Sequence, residues 1–83
     1  MTKQEFINEM MEHEGFDSVA FISTDGTRSE IGDSGNYLGG EEGEGFISEL
    51  LGNVCYDSYE SCVYDTANYI YDELEEEIEE VEI

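Results

Sequence analysis

Positive charge is almost missing from this chain of 83 residues. Lys3 and Arg28 are its two cationic side chains, against 23 carboxylates, and the formal net charge is −21. Two cations leave nearly all of the acids without an internal ion pair, so the folded state must tolerate self-repulsion. A surface of this sign repels nucleic acid and anionic membranes and attracts basic grooves on proteins. The composition therefore predicts a protein partner with a positive surface, and no direct contact with nucleic acid or membrane.

Residue patterns for catalysis and metal binding are also scarce. His13, the one histidine, is flanked by glutamates at the polar end of a predicted helix, and no nucleophile signature accompanies it. The glycine-rich stretch 32–45 lacks the Gly-Lys-Ser/Thr ending of a phosphate loop. An EF-hand register that starts at Asp33 puts Gly35 and Tyr37 at ligand positions, so that pattern fails. We expect no enzymatic activity, no cofactor and no metal site.

Long apolar runs are absent as well. None approaches the roughly 18 residues of a membrane span, and the first residues lack the basic start and apolar core of a signal peptide, which predicts a cytoplasmic protein. On one helix, Cys55 and Cys62 would lie about 10 Å apart, so we expect thiols rather than a disulfide. The 39% hydrophobic content, with six Tyr and four Phe, nevertheless predicts one folded domain over residues 1–83 rather than a disordered acidic tail.

Two helices are predicted before the C-terminal run. Thr2 and Glu5 form a capping-box pattern, which predicts a helix over residues 3–14. Apolar residues at helical spacing predict a second, short helix over residues 46–51, with Gly52 as its C-terminal stop.

Between these helices the sequence predicts a β-hairpin. Residues 16–24 are apolar on both alternations, which is typical of a strand covered on both faces. The Asp-Gly pair at 25–26 is a two-residue hairpin signal, and residues 27–32 form a weaker return strand predicted to be exposed. A two-residue loop sets Ile31 opposite Ala20.

The C-terminal run, residues 58–83, carries the strongest pattern in the chain. From residue 72 to 82, eight of eleven positions are Asp or Glu, with no Lys or Arg among them. On a helix these residues span about 16 Å, one charge per roughly 2 Å of axis, close to the one per about 1.7 Å of duplex DNA. Apolar residues recur at steps of three and four, which predicts one long helix with an apolar stripe: Tyr59, Val63, Ala67, Ile70, Leu74, Ile78 and Val81. The alternation of Val81 and Ile83 with Glu82 leaves a short terminal strand or a frayed end as alternatives for the last residues, although repeated Glu favours helix.

The order of these elements predicts an α+β fold. We expect an N-terminal helix, a two- or three-stranded antiparallel sheet, a short helix and a long acidic C-terminal helix. Residues 37–38 in the glycine-rich loop 32–45 would supply the third strand.

The whole chain resembles the small acidic DNA-mimic inhibitors of phages and mobile elements, which include anti-CRISPR and anti-restriction proteins. The likeness is in length, charge and element order. FIS at 46–48 and YDSYE at 56–60 look like the acidic helix entry of an anti-CRISPR that occupies the PAM-reading site of Cas9, and YDTANYI at 64–70 looks like a segment of ArdA-type anti-restriction proteins. The resemblance implies a phage protein that acts in the cytoplasm of a bacterial host cell.

The function predicted from charge and resemblance is inhibition of a host defence complex by occupying its basic DNA-binding channel. The partner would be a CRISPR effector, of the Cas9 or Cascade type, or a restriction enzyme. The protein itself would be a monomer or a homodimer. The predicted partner-binding residues are the carboxylates of the long helix and the glycine-rich loop, with two tyrosines: Glu60, Asp65, Asp72, Glu73, Glu75, Glu76, Glu79, Glu80, Glu41, Glu42, Glu44, Tyr64 and Tyr71.

The alternative is an acidic adaptor or antitoxin-like protein that neutralises one basic partner. Tyr64 and Tyr71 are seven residues apart, hence on one face of the predicted helix, and tyrosine is enriched in protein interfaces. In that case the charge would mainly steer association. Partial core packing of the tyrosines is the competing interpretation.

Overall fold

A computed structural model describes residues 1–34, 45–52 and 54–82 of the chain. Its helices lie on one face of a five-stranded antiparallel sheet, whose strands are ordered β4-β3-β2-β1-β5. The elements are α1 (Lys3–Glu12), β1 (Ser18–Ser23), β2 (Arg28–Asp33), β3 (Phe46–Ser48), a 3₁₀ turn (Glu49–Leu51), β4 (Cys55–Tyr56), α2 (Tyr59–Asn68), a π-helical turn (Tyr69–Glu73) and β5 (Ile78–Glu82). The predicted sheet of two or three strands and the predicted long C-terminal helix are therefore wrong.

The N-terminal helix is confirmed, and its start has the predicted capping box. The Glu5 N–H donates to the Thr2 hydroxyl at 3.1 Å, and the Thr2 N–H donates to the Glu5 carboxylate at 2.7 Å. These two bonds satisfy N–H groups that a helix start otherwise leaves without partners. The helix buries Phe6, Ile7 and Met10 and ends at Glu12, two residues before the predicted end.

The hairpin exists, but its loop has three residues instead of two. The Gly26 N–H donates to Ser23 O, and Gly26 adopts φ +92°, as in a type I turn followed by a left-handed glycine. The extra loop residue shifts the register by one, so Ile31 lies opposite Val19 and not opposite Ala20. A shift of one residue moves a side chain to the other face of a sheet. Ile31 is thus fully buried under the helices, and the expectation of an exposed return strand is wrong.

Residues 46–51 form a strand and a 3₁₀ turn where a short helix was predicted. β3 pairs with β2 on one side and β4 on the other, so β2 becomes an interior strand. A six-residue helix has few internal hydrogen bonds to offset its nucleation cost. Pairing with two strands supplies backbone bonds on both sides and buries Ile47 and Ser48.

Helix α2 ends at Asn68, thirteen residues before Val81, the last residue of the apolar stripe. Helix α2 confirms the stripe from Tyr59 through Ala67, and Ile70 is buried in the π turn that follows. A helix continued through the acids would repeatedly place carboxylates four residues apart, as at Asp72 and Glu76, with no basic residue near its C-terminus. The chain instead turns at Glu75, whose φ is +54°, and returns as strand β5.

The two helices run antiparallel and close the core over β1 and β2. At one end the Tyr59 hydroxyl donates to Met10 O at 2.6 Å. At the other, the Tyr71 hydroxyl donates to Met1 O at 2.7 Å. Between these ties the core buries Phe6 and Phe21, whose rings meet edge-to-face with centroids 5.2 Å apart. The third strand predicted at 37–38 lies outside the described residues.

Candidate protein-binding surface

Both cationic side chains of the sequence are engaged in ion pairs. Lys3 Nζ lies 2.8 Å from Asp72 Oδ2, and Arg28 contacts Glu30 at 2.9 Å and Glu82 at 3.3 Å. Apart from the Glu30 carboxylate, which is 14% exposed, the side chains in these pairs are partly or largely exposed, and exposed pairs add little to stability. Their consequence is electrostatic, because neither the lysine nor the arginine is left to form a positive patch and the remaining carboxylates dominate the field of the surface.

The acid run, residues 72–82, lies along one end and one edge of the sheet; we call it the acidic edge. Asp72 and Glu73 are in the π turn, Glu75 to Glu77 connect it to β5, and β5 pairs with β1 alone. A strand rises about 3.3 Å per residue, so the three carboxylates of β5, from Glu79 to Glu82, spread over roughly 10 Å. The predicted DNA-like helical rod is therefore wrong, and its carboxylates are divided between the π turn, the connection that follows it and the edge strand.

Strand β5 places apolar and acidic side chains on opposite faces of the sheet. Val81 lies opposite Phe21 on the core face, whereas Glu80 and Glu82 lie opposite Ile22 and Ala20 on the other face. The register shifts at Glu79, where a β-bulge bends the strand. Charged residues and a bulge on an edge strand are features that oppose pairing with another strand.

The acidic edge is fixed to the rest of the fold at Ile78. Its N–H donates to the Tyr71 hydroxyl at 3.0 Å, and its carbonyl accepts from the Met1 nitrogen at 2.8 Å. Tyr71 therefore bridges Met1 and β5, and burial raises the pKa of its half-buried hydroxyl. The structure gives this predicted partner-binding residue a structural role inside the molecule.

The other predicted tyrosine remains on the surface. Tyr64 is 42% exposed and shares the outer face of α2 with Glu60, four residues earlier. Asp65, next to it, is exposed, and its carboxylate interacts with the Tyr56 hydroxyl. Burial and this carboxylate raise the pKa of Tyr56 to about 12. Tyr64 and Tyr71 thus do not form the shared aromatic face that helical spacing predicts.

The carboxylates predicted to bind a partner fall into separate groups. Glu60 and Asp65 are exposed on α2. The predicted carboxylates between residues 72 and 80 belong to the acidic edge, and all of them are exposed except the half-buried Glu76. Glu41, Glu42 and Glu44 lie outside the described residues.

A small cleft that sequence reasoning missed lies between the β1–β2 hairpin and the segment 70–78; we call it the hairpin cleft. Its volume is about 70 Å³. Phe21, Ile70 and Ile78 are buried and form its floor, while exposed or half-buried residues line its opening, among them Asp25, Thr27, Leu74 and Glu76. The sequence signal for this cleft was Leu74, an apolar residue between acids. Helical periodicity assigned Leu74 to the core, so the signal was missed.

The Asp25 carboxylate, which lines this cleft, is held by hydrogen bonds within the hairpin loop. It accepts a short hydrogen bond from the Ser23 hydroxyl and one from the Thr27 N–H at 2.9 Å. These bonds stabilise the charged form and lower the pKa of Asp25 below its usual value. The group is therefore fully ionised at neutral pH.

Other candidate sites receive no support within residues 1–34, 45–52 and 54–82. That part of the chain holds no group of three or more metal-ligating side chains. None of its helices is long and apolar enough to cross a bilayer. His13 caps α1 through Nδ1, 2.8 Å from Glu9 O, and packs against Phe16. Cys55 lies in β4 and Cys62 in α2, and the structure has no disulfide between them.

Comparison with known proteins identifies no relative of this chain. The chain matches no protein-family model, no curated protein and no solved structure.

Proposed function

We propose that this protein is a non-enzymatic inhibitor that mimics nucleic acid and occupies the basic channel of a nucleic-acid-binding protein. One observation carries the proposal: a net charge of −21 with both cations consumed in internal ion pairs. The target class is a CRISPR effector or a restriction enzyme in the cytoplasm of a bacterial cell. The protein would then act as an anti-CRISPR or anti-restriction inhibitor.

The mechanism is competition for phosphate sites. Channels that hold DNA or a guide heteroduplex are lined with Lys and Arg, and carboxylates of the acidic edge would occupy the positions of phosphate oxygens. In this proposal the carboxylates from Asp72 to Glu77 and those of β5 both contact the channel. The affinity should fall steeply with salt, because each carboxylate replaces counterions of the target.

The experiment that tests this is displacement of nucleic acid from a captured target. A basic protein recovered from bacterial lysate is loaded with a fluorescent duplex, and the inhibitor is titrated in at about 0.1 M and 0.5 M salt. The proposal expects complete release of duplex at the lower salt and loss of inhibition at the higher. Simultaneous binding of inhibitor and duplex would contradict it.

A matched pair of variants locates the active carboxylates. Replacing Glu73, Glu79 and Glu80 by Gln removes three exposed charges from the acidic edge, and replacing Glu9, Glu12 and Glu14 by Gln removes three exposed charges from α1 and the loop after it. The net charge changes equally, so any difference reports position. We expect at least a tenfold weaker inhibition for the first variant only; equal losses would mean that no particular surface is used.

The acidic adaptor remains a second candidate because Tyr64 is exposed beside Glu60 and Asp65. An exposed tyrosine within an acidic surface can pack on an Arg-rich partner while its hydroxyl stays hydrated. An adaptor would bind its target together with nucleic acid, and Tyr64→Ala would abolish that binding. In the mimic, the same substitution should change the affinity by less than about threefold.

A further inference from the structure

We propose that the hairpin cleft receives one arginine side chain of the target. The inference rests on the proposed function for its biological meaning, because a mimic of nucleic acid meets a surface rich in arginine and lysine. The cleft itself is a property of this chain and can be tested without the target.

The size of the cleft selects a side chain over a small-molecule ligand. Sites for cofactors and drug-sized ligands have volumes of about 300–1,000 Å³, whereas one ordered water needs at least 10–15 Å³. A volume of about 70 Å³ lies between these limits and suits the end of one long side chain.

The charge of the lining selects a cation. Asp25 and Glu76 both line the cleft from opposite elements, Asp25 from the hairpin loop and Glu76 from the connection to β5. The chain has no cation of its own among the residues that line it. Two carboxylates from different elements can be bridged by one guanidinium, whose planar fork presents five N–H donors.

The apolar lining selects arginine over a compact, strongly hydrated ammonium group. The floor is formed by buried aromatic and aliphatic side chains, and Leu74, 44% exposed, stands at the opening. Guanidinium is more weakly hydrated than ammonium, so it enters such a site at a lower desolvation cost. The methylene stem of the arginine would cover Leu74, an exposed apolar side chain that has no other evident role.

The first experiment uses a single-arginine peptide, acetyl-Gly-Arg-Gly-amide, titrated into the isotope-labelled protein at fixed ionic strength and followed by NMR. We expect saturable shifts of the amides of Ser29, Ile70 and Leu74, and none with the neutral citrulline peptide. Shifts spread evenly over the acidic edge and α1 would overturn the proposal in favour of diffuse attraction. Equal affinity for the lysine peptide would overturn the assignment to arginine.

Two matched pairs of variants test the cleft, and the two members of each pair have the same net charge. Thr27→Trp fills the opening, whereas Thr24→Trp places the same ring at an exposed hairpin position outside the lining. We expect loss of the peptide response in the first and retention in the second. Glu76→Gln should lower the affinity for the arginine peptide about fivefold more than Glu77→Gln, since Glu77 does not line the cleft. Equal effects within either pair would refute the site.

The outcomes separate this inference from the proposed function. Displacement of duplex from the target by the Thr27→Trp variant as well as by the wild type would leave mimicry intact and show that the cleft is not used. A peptide response in a protein that fails to displace duplex would retain the cleft and refute mimicry.

Discussion

Replacing Tyr71 by Phe should destabilise the fold. The sequence pattern placed Tyr71 on an exposed helix face, where such a substitution would have little effect. The hydroxyl donates to Met1 O at 2.7 Å and accepts from the Ile78 N–H at 3.0 Å, so it joins the start of the chain to the edge strand. Phenylalanine keeps the ring, which packs near Phe6 with centroids 6.3 Å apart, and removes these two bonds alone.

The magnitude follows from the two bonds. A net contribution of about 1 kcal/mol for each, with the Ile78 N–H left without a partner in a partly buried site, gives a loss of roughly 2 kcal/mol. In a domain of this size, 1 kcal/mol corresponds to about 4–8 °C in Tm, so the midpoint should fall by roughly 10 °C. The control is Tyr64→Phe, which alters an exposed hydroxyl and should change the free energy of unfolding by less than about 0.5 kcal/mol.

The assay is urea unfolding of both variants at two salt concentrations. Added salt should stabilise wild type and variants alike, because it screens the repulsion among the carboxylates. The difference between Tyr71→Phe and Tyr64→Phe should persist at both, since it arises from short-range hydrogen bonds. Equal unfolding midpoints for the two variants would show that the Tyr71 hydroxyl does not hold β5 in place.

Three further predictions concern other local features. Glu75 has φ +54°, a backbone conformation in which glycine is unstrained. Glu75→Gly should therefore raise the free energy of unfolding, measured in thermal melts, by about 0.5–1 kcal/mol, whereas Glu77→Gly should not raise it. A lower free energy of unfolding for Glu75→Gly would refute the strain at this position. The pKa of Asp25 is lowered in the folded state, so its stabilising effect is complete above its unfolded pKa and is lost as the pH falls through the folded pKa. The gap in urea midpoint between wild type and Asp25→Asn should therefore shrink between pH 7 and pH 3, and a constant gap would contradict the assignment. Burial raises the pKa of the Cys62 thiol to about 12, so a thiol reagent at pH 8 should modify the exposed Cys55 rapidly and Cys62 only on unfolding; two fast thiols per native chain would refute it.

Features that depend on neighbouring residues could be predicted from the sequence. The capping box at Thr2 and Glu5 involves residues three apart, and the stripe of α2 from Tyr59 to Ala67 needs only helical spacing. The Asp-Gly signal correctly located the hairpin, although its loop length was wrong. The scarcity of Lys and Arg determines the sign of the surface charge.

The positions of residues 71–82 depended on tertiary structure. Ile78 and Val81 continue the helical stripe in the sequence, yet they face the core equally well from a strand beside β1. Local repulsion among the acids weakens the helix. The strand forms because one edge of β1 is not paired with β2 and can pair with residues 78–82. For the same reason, the sequence could not place Tyr71 against Met1 and Ile78, or Glu76 and Leu74 beside Asp25.

The sequence by itself thus determined the charge, the N-terminal helix, the first turns of α2 and the presence of a hairpin. Tertiary structure decided the hairpin register, the strand at Phe46–Ser48, the course of the acidic edge and the hairpin cleft. The physical reason is the range of the interactions. Caps, turns and periodicity act over a few residues, whereas strand pairing and burial join segments distant in the chain and can override local preference.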